Sequence, residues 1–522
     1  MTQEKSCFFL CAIMVCTMIS IQNIRASYAN HIVDIDTDQC VWKTDEKFLS
    51  IALGSGLIRE RFHPNFDFSS IKLQTLAKGL SPAYLRIGGT NGDFLLFDPD
   101  ENSHLSTRTF KENSDQKTAY NGWTNFTMTT KDVDNLFSWA YNNELKVIFG
   151  LNILQRDSKT NLWNSTNAQQ LMKYLISRGF TCDWELGNEP FDLQKFNRTI
   201  SGKQLAENFR ILRKLLNKYP EYENMIAGPD LSSPWKSPLR SSYFKEFLEN
   251  INDNIDALTY HQYYTNKKAT VSKFYDVSIL DSLIKEVNTL KLILENSKAS
   301  IKELWLGETS SAYGGGVPGV SNSYIAGFMW LDKLGLAARS GHSVVIRQTF
   351  YGGSYDLVDQ NTFDPFPDYW SSYLYKMLVG QRVLKVVEGM SLGRALRVYA
   401  HCISQKSGYT SDSIVLIALN TKHTEAKIIL TKNFEKLTIH QYLLTPCETG
   451  NLTSQKVKLN GKLLEMLNNK TLPHLQPKPI SADNIILPPV SYGFYVILET
   501  QLQVCKMPCS KKNFKAKNVL HV

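Results

Sequence analysis

The sequence predicts an α/β fold: a (β/α)8 TIM barrel followed by a C-terminal all-β sandwich domain that also takes an N-terminal strand. Three observations predict it. At 522 residues the chain is too long for one ordinary core, so two domains are expected. Between about residue 49 and residue 375, eight short apolar runs alternate with helical patterns. From about residue 385 the helical spacing stops and short runs rich in β-formers follow one another. The expected organisation is a leader at 1–29, an N-terminal strand at 30–48 packing on the β-domain, and the barrel at 49–380. An exposed loop interrupts the barrel at 100–124, and the sandwich at 381–505 is followed by a basic tail at 506–522.

The leader comes first. Lys5 precedes an apolar run from Cys7 to Ile21, and the small residues Ala26, Ser27 and Ala29 follow. This is the layout of a cleaved secretory signal peptide, and the run is too short for a membrane span. No later segment is apolar enough to cross a membrane. Secretion is therefore expected, to the extracellular space or onward to lysosomes. Cys40, Cys182, Cys402, Cys447, Cys505 and Cys509 remain after cleavage, an even set that suggests disulfides whose connectivity the spacing leaves open. None has metal-ligand spacing, so no metal site is expected. Sequons at Asn125, Asn164, Asn197, Asn451 and Asn469 are compatible with glycosylation.

The formal net charge is +9, and loss of Glu4, Lys5 and Arg25 with the leader leaves +8. Lys506, Lys511, Lys512, Lys515 and Lys517 carry +5 of that in the tail, so the body is only mildly basic. Affinity for polyanions is expected mainly in the tail, and nucleic acid is not an expected partner.

The eight strand-like runs are Leu49–Leu53, Tyr84–Ile87, Lys146–Leu151, Cys182–Leu186, Met225–Ala227, Ile255–Tyr260, Glu303–Leu306 and Ser343–Arg347. Among the helices between them, Ser201–Tyr219 spaces Leu205, Phe209, Leu212, Leu215 and Leu216 three or four apart behind a capping serine. Tyr324–Arg339 does the same with Ile325, Phe328, Met329, Leu331 and Leu336. Asp100–Thr124 is polar and aperiodic, hence a loop. In the β-domain, Asn460-Gly461 within Val457–Leu464 signals a hairpin turn.

Barrel enzymes carry their chemistry at the C-terminal ends of the strands. Trp184-Glu185-Leu186-Gly187-Asn188-Glu189-Pro190 leaves the fourth strand, and Leu304-Trp305-Leu306-Gly307-Glu308-Thr309 leaves the seventh. Two acids on one rim are what glycoside hydrolysis requires: one protonates the leaving oxygen, and the other attacks the anomeric carbon or activates water there. A separation of about 5 Å between them corresponds to double displacement with retention.

Asn188-Glu189-Pro190 with a second Glu after strand 7 resembles the large clan of retaining glycosidases built on this barrel. Trp305-Leu306-Gly307-Glu308-Thr309-Ser310-Ser311-Ala312-Tyr313-Gly314-Gly315-Gly316 resembles, more specifically, the heparanase family, endo-β-glucuronidases of glycoside hydrolase family 79. Gly79–Gly89, Gly327–Ala338 and Phe363–Trp370 extend the resemblance over nearly the whole mature chain. It implies that Glu189 is the acid/base and Glu308 the nucleophile. It also implies that Thr90, Gly314, Gly315 and Tyr355 line the uronic-acid subsite, since backbone N–H groups and a phenol bind a carboxylate well. His261 and Tyr263 would border the nucleophile and the sugar, Tyr313 would be a further substrate-binding residue, and Asn188 would bond the 2-hydroxyl. The resemblance further implies a Cys402–Cys505 disulfide, no cofactor, and heparan sulfate proteoglycans or related glycosaminoglycans as partners.

The chain departs from the family at its flanks. Gly54, Ser55 and Gly56 stand after strand 1 where heparanases carry an acid and an amide, and Trp235-Lys236-Ser237 replaces an Arg-Arg-Lys run after strand 5. Lys131 alone represents the basic stretch near strand 3. Cleavage of heparan sulfate is the leading expectation. The alternatives are a β-glucuronidase for shorter or less sulfated glycans, and a secreted heparan sulfate binder with little turnover.

Overall fold

The computed structural model describes residues 29–62, 66–100, 123–220, 224–387, 394–431, 434–507 and 509. The leader, nearly all of the 100–124 loop and nearly all of the basic tail lie outside the described residues.

Two strands, β1 (Ala29–Val33) and β2 (Ile35–Lys43), open the chain. The barrel is built from β3 (Leu49–Gly54), β4 (Ala83–Gly88), β7 (Leu145–Leu151), β8 (Asp183–Leu186), β9 (Ala227–Ser232), β10 (Ala257–Asn266), β11 (Glu303–Tyr313) and β12 (Val344–Tyr351). A small parallel pair, β5 (Leu95–Asp98) and β6 (Phe126–Thr129), sits in the excursion after β4. The barrel strands run parallel in the order β8-β7-β4-β3-β12-β11-β10-β9, and a Trp184–Ile226 bridge closes the ring. All eight apolar runs touch barrel strands, the fifth only at Ala227, because β9 runs on through Gly228, Pro229 and Asp230 to Ser232. β10 and β11 extend several residues beyond the apolar stretches that announced them, because polar residues continue the ladder up to the rim.

Alternation along each strand divides the side chains. In β4, Leu85 and Ile87 join the layer between sheet and helices, while Tyr84 packs with Ala52, Ile148, Ala227, Ala257, Trp305, Val344 and Ile346 in a separate cluster within the ring. The Tyr84 and Trp305 rings stand 4.9 Å apart there. Outside, the Gly202–Leu216 helix starts on a capping box between Ser201 and Gln204 and buries the leucine and phenylalanine stripe read from its spacing.

The second domain is two packed sheets. β13 (Val379–Val386), β14 (Leu396–Ile403), β15 (Ile414–Asn420), β17 (Thr438–Pro446), β18 (Val457–Leu459), β19 (Lys462–Leu463), β20 (Lys478–Ser481) and β22 (Ser491–Ile497) form the larger one together with β2. The smaller joins β1 to β16 (Ala426–Leu430) and β21 (Ile485–Leu487). Two N-terminal strands, not one, thus return to this domain. Asn460 and Gly461 turn the β18–β19 hairpin, both at positive φ (49° and 86°), as a two-residue turn of this kind requires.

The larger sheet is buried on both faces, which is why Ile414-Val415-Leu416-Ile417-Ala418-Leu419 reads as continuously apolar. Ile414, Leu416 and Ala418 fill the sandwich, while Val415, Ile417 and Leu419 belong to the barrel core. The Ala326–Arg339 helix is caught between the two domains and is buried almost all round. A Cβ on Gly335 would stand 2.2 Å from the Tyr399 ring, and one on Gly327 2.3 Å from the Tyr492 hydroxyl. These glycines set how closely helix and sheet approach. Arg397 of β14 reaches Asp332 on that helix and, at 2.7 Å, Asp281.

Cys402 and Cys505 are disulfide-bonded, and a second bond joins Cys40 to Cys509. Cys182 and Cys447 are free. The five sequon asparagines are all exposed. Among the described residues no helix is long and apolar enough to cross a membrane.

Candidate active site

At the C-terminal rim of the barrel lies a cleft of about 760 Å³. Glu189, Glu308, Thr90, Asn188, His261, Tyr263, Tyr313, Gly314, Gly315 and Tyr355 all line it, so the ten residues singled out in the sequence are brought to one place.

Each carboxylate is aimed by the glycine before it. Gly187 adopts φ +78° after β8, and Glu189 itself is left-handed at φ +49°, held by its N–H donating to the Asp230 carbonyl at 3.0 Å. A non-glycine residue in that region costs about 1–3 kcal/mol and persists only where its surroundings enforce it. Gly307 lies against β9: a Cβ there would stand 2.7 Å from the Asp230 carboxylate. The β10–β11 register shifts at this point, so that His261 pairs with Glu308.

Glu308 accepts from the Tyr263 hydroxyl at 2.7 Å and from Arg86 at 2.8 Å. Burial pushes its carboxyl up, but the charges of His261 and Arg86 and the tyrosine's hydrogen bond prevail and hold it below the usual carboxylate range. It is therefore an ionised group, held so by its charged and hydroxyl neighbours. Across the cleft, His261 Nδ1 lies 3.1 Å from Glu189, and its Nε2 is 3.5 Å from Asp230. Burial alone would neutralise this imidazole. Glu308, Asp230 and Glu189 override it and raise its pKa to about 10, so the ring is a cation.

Arg86, Glu185 and Asp230 lie beneath the cleft, and sequence reading missed all three. Arg86 is buried and donates to Glu185 at 2.7 Å, to Asp230 at 3.1 Å and to the Asn188 side-chain oxygen at 3.1 Å, besides Glu308. Burial raises Glu185 well above the carboxylate range; Arg86 opposes this, and neighbouring Asp230 adds to it. Asp230 is depressed, because Arg86 and His261 outweigh its own burial. A neutral Glu185 thus leaves Arg86 and His261 balanced against Asp230 and Glu308. The available signal was a charged residue inside an otherwise apolar strand: Leu85-Arg86-Ile87 and Trp184-Glu185-Leu186.

Tyr355 packs beside Tyr263 with ring centroids 6.4 Å apart, and burial first, then Glu308, pushes its phenol up to about 12. It therefore stays a neutral donor. Gly314, Gly315 and Gly316 turn at positive φ, and the Gly315 carbonyl accepts from the Ser354 N–H at 2.7 Å, which ties the glycine turn to the Tyr355 loop.

An ionised carboxylate at the end of the seventh strand and a second carboxyl group at the end of the fourth, sharing a barrel-mouth cleft, define a glycoside hydrolase. The similarity to known proteins is specific. The chain belongs to glycosyl hydrolase family 79, whose N-terminal domain matches residues 61–335. It is 39% identical over 496 residues to a heparanase of Bos taurus, covering 88% of this chain and 89% of that one. It is also 36% identical over 495 residues to a hyaluronoglucuronidase of Hirudo nipponia, covering 91% and 99%. Among solved structures, a 4-O-α-L-rhamnosyl-β-D-glucuronidase from Fusarium oxysporum superposes with a TM-score of 0.66 at 16% identity, over 90% of this chain and all of that one, and shares the fold.

Proposed function

We propose that this protein is a retaining endo-β-glucuronidase that cuts glycosaminoglycan chains of the heparan sulfate type, outside the cell or in lysosomes. The observation that carries the reading is the unequal treatment of the two rim carboxylates. Glu308 is fixed between Tyr263 and Arg86 and kept ionised, whereas Glu189 stands opposite, touched by His261. Relatives named heparanase and hyaluronoglucuronidase support the glycosaminoglycan substrate class.

In this mechanism Glu308 attacks the anomeric carbon while Glu189 gives its proton to the leaving oxygen. Water, deprotonated by Glu189, then releases the glycosyl group with net retention. Thr90, the turn at Gly314 and Gly315, and Tyr355 receive the uronate carboxylate through neutral donors. Asn188, oriented by Arg86, bonds the 2-hydroxyl. No cofactor takes part in these steps.

The test is digestion of heparan sulfate followed by size-exclusion chromatography, with NMR of the first-formed anomer. A progressive shift of the whole population with β-anomer product is expected from wild type and not from Glu308→Gln. Release of monosaccharide from full-length chains would make the enzyme exo-acting. Equal binding of heparan sulfate by both proteins without cleavage of any β-glucuronide would make it a binder.

A further inference from the structure

Across the cleft from the acid/base, the wall is almost free of side chains. In the ring order β8-β7-β4-β3-β12-β11-β10-β9, the end of β3 stands four places from β9, whose neighbour β8 leads to Glu189. Glu189 serves the leaving oxygen, so the β3 end borders the opposite side of the bound uronate. β4 and β12 flank β3, and the loops after them bring Thr90 and Tyr355. A Cβ on Gly54 would meet nothing within 4 Å, and one on Gly56 only the Asn91 amide, its nitrogen 3.1 Å away. Both glycines and Asn91 line the cleft.

Arg59 decides which end of that amide faces Gly56. Its Nε lies 2.8 Å from Asn91 Oδ1, and a guanidinium can only donate, so the oxygen is the end turned to Arg59. The NH2 end is left toward Gly56, whose missing side chain keeps it uncovered. Arg59 is held in turn. It donates to the Thr124 carbonyl at 2.9 Å, and its guanidinium carbon lies 4.3 Å from the centre of the Phe126 ring. A charged donor on the amide oxygen also polarises the amide, which makes its N–H groups stronger donors.

We propose that Asn91 is a substrate-binding residue that donates its amide N–H to an oxygen of the hexosamine preceding the cleaved uronate, with Arg59 as its positioning residue. This rests on the glucuronidase reading given above. The room left by Gly54 and Gly56 admits that sugar, and Asn91, next to Thr90 in the chain, meets it beside the uronate subsite. An enzyme that cuts inside a chain has sugars to hold on this side as well as on the leaving side.

The experiment compares two probes with the same aryl leaving group. One is an aryl β-glucuronide; the other is the aryl glycoside of glucuronate–N-acetylglucosamine–glucuronate, which adds two sugars before the cleaved uronate. Wild type should hydrolyse the trisaccharide with the higher kcat/KM. Asn91→Ala should lose about tenfold on the trisaccharide, mostly in KM, equivalent to one hydrogen bond, and stay within about twofold on the monosaccharide. Asn91→Asp keeps the shape and pairs with Arg59, yet puts an oxygen where the donor stood, so it should lose at least as much. Arg59→Met, which frees the amide to turn, should show a smaller loss of the same kind, again in KM and on the trisaccharide alone. Wild-type behaviour of Asn91→Asp, equal losses on both probes, or a wild type that cleaves only the monosaccharide would overturn the proposal and leave the glucuronidase reading standing. If wild type hydrolyses neither probe, that reading falls and the proposal with it.

Discussion

Arg86 Nη1 lies 2.8 Å from Glu308 Oε2, and the same guanidinium is buried against two further acids. One cation thus fixes the place and the charge of the group proposed to attack the sugar. Arg86→Lys keeps the charge but loses the fork that reaches Glu185, Asp230, Asn188 and Glu308 together. A loss of about hundredfold in kcat is expected. Glu185→Gln, by contrast, mimics a neutral carboxyl that accepts from Arg86 and donates to Asp230, and should stay within about fivefold of wild type. A large loss for Glu185→Gln would mean that Glu185 is ionised.

The two rim acids should fail differently. Glu308→Gln should abolish turnover on every substrate. Glu189→Gln should lose about 10²–10⁴-fold on natural chains yet still glycosylate Glu308 with a good leaving group. Burst kinetics with an activated aryl glucuronide separate the two; identical behaviour would refute the assigned roles.

The pH profile follows from the lowered Glu308. Its ionised form persists to lower pH than an ordinary carboxylate, so the acidic limb that reports it should fall below the usual carboxylate range. Tyr263→Phe removes a donor to the charged form, which raises the pKa. The limb should therefore move to higher pH, by about half a unit to one unit. A limb that stays put in kcat/KM would show that Glu308 does not set it.

Asp356, next to Tyr355, has one oxygen accepting from Gln360 at 2.8 Å and the other buried without a partner among the described residues. Burial pushes its pKa up to about 7. The folded state keeps a proton that the unfolded chain, at about 3.9, has released. The stabilisation from that proton is full below the unfolded value and is lost as pH rises through about 7. Asp356→Asn should therefore gain about 2–3 kcal/mol over wild type between pH 5 and pH 8, read from Tm at each pH. An unchanged difference would place the proton elsewhere.

Gly335→Ala should destabilise the folded protein by about 1–3 kcal/mol, because the added methyl enters the Tyr399 ring. Gly54→Ala, where an added Cβ meets nothing within 4 Å and the backbone is not left-handed, controls for glycine replacement without a clash. Similar thermal shifts for both would remove the packing argument.

Much of this architecture was legible in the sequence. Seven of the barrel strands bury apolar side chains in runs of β-formers that show, whereas β9 (Ala227–Ser232) has no such run, and the glycines near Glu189 and Glu308 mark where backbone must bend or pack tightly. The ten cleft residues follow strand ends, where position alone draws attention. Arg86, Glu185 and Asp230 were not legible, because their meaning depends on contacts between β4, β8 and β9 that no local pattern encodes. Nor was the pairing of Cys40 with Cys509, since each lies far in sequence from its partner. The second N-terminal strand escaped for a related reason: β2 lies on a sheet edge and buries only Ile35 and Cys40 of its residues, which weakens its apolar signal.

The Cys40–Cys509 bond, with a sequence separation of 469, makes a covalent ring of nearly the whole described chain. Any single backbone break between residues 41 and 508 opens that ring without releasing a piece. A protease that nicks the polar stretch at 100–124 would therefore yield two polypeptides still fastened together, and a non-reducing gel would show one band at the uncut mass. Only a reductant would separate them. Such a link keeps a first cut within that ring from separating the chain into pieces.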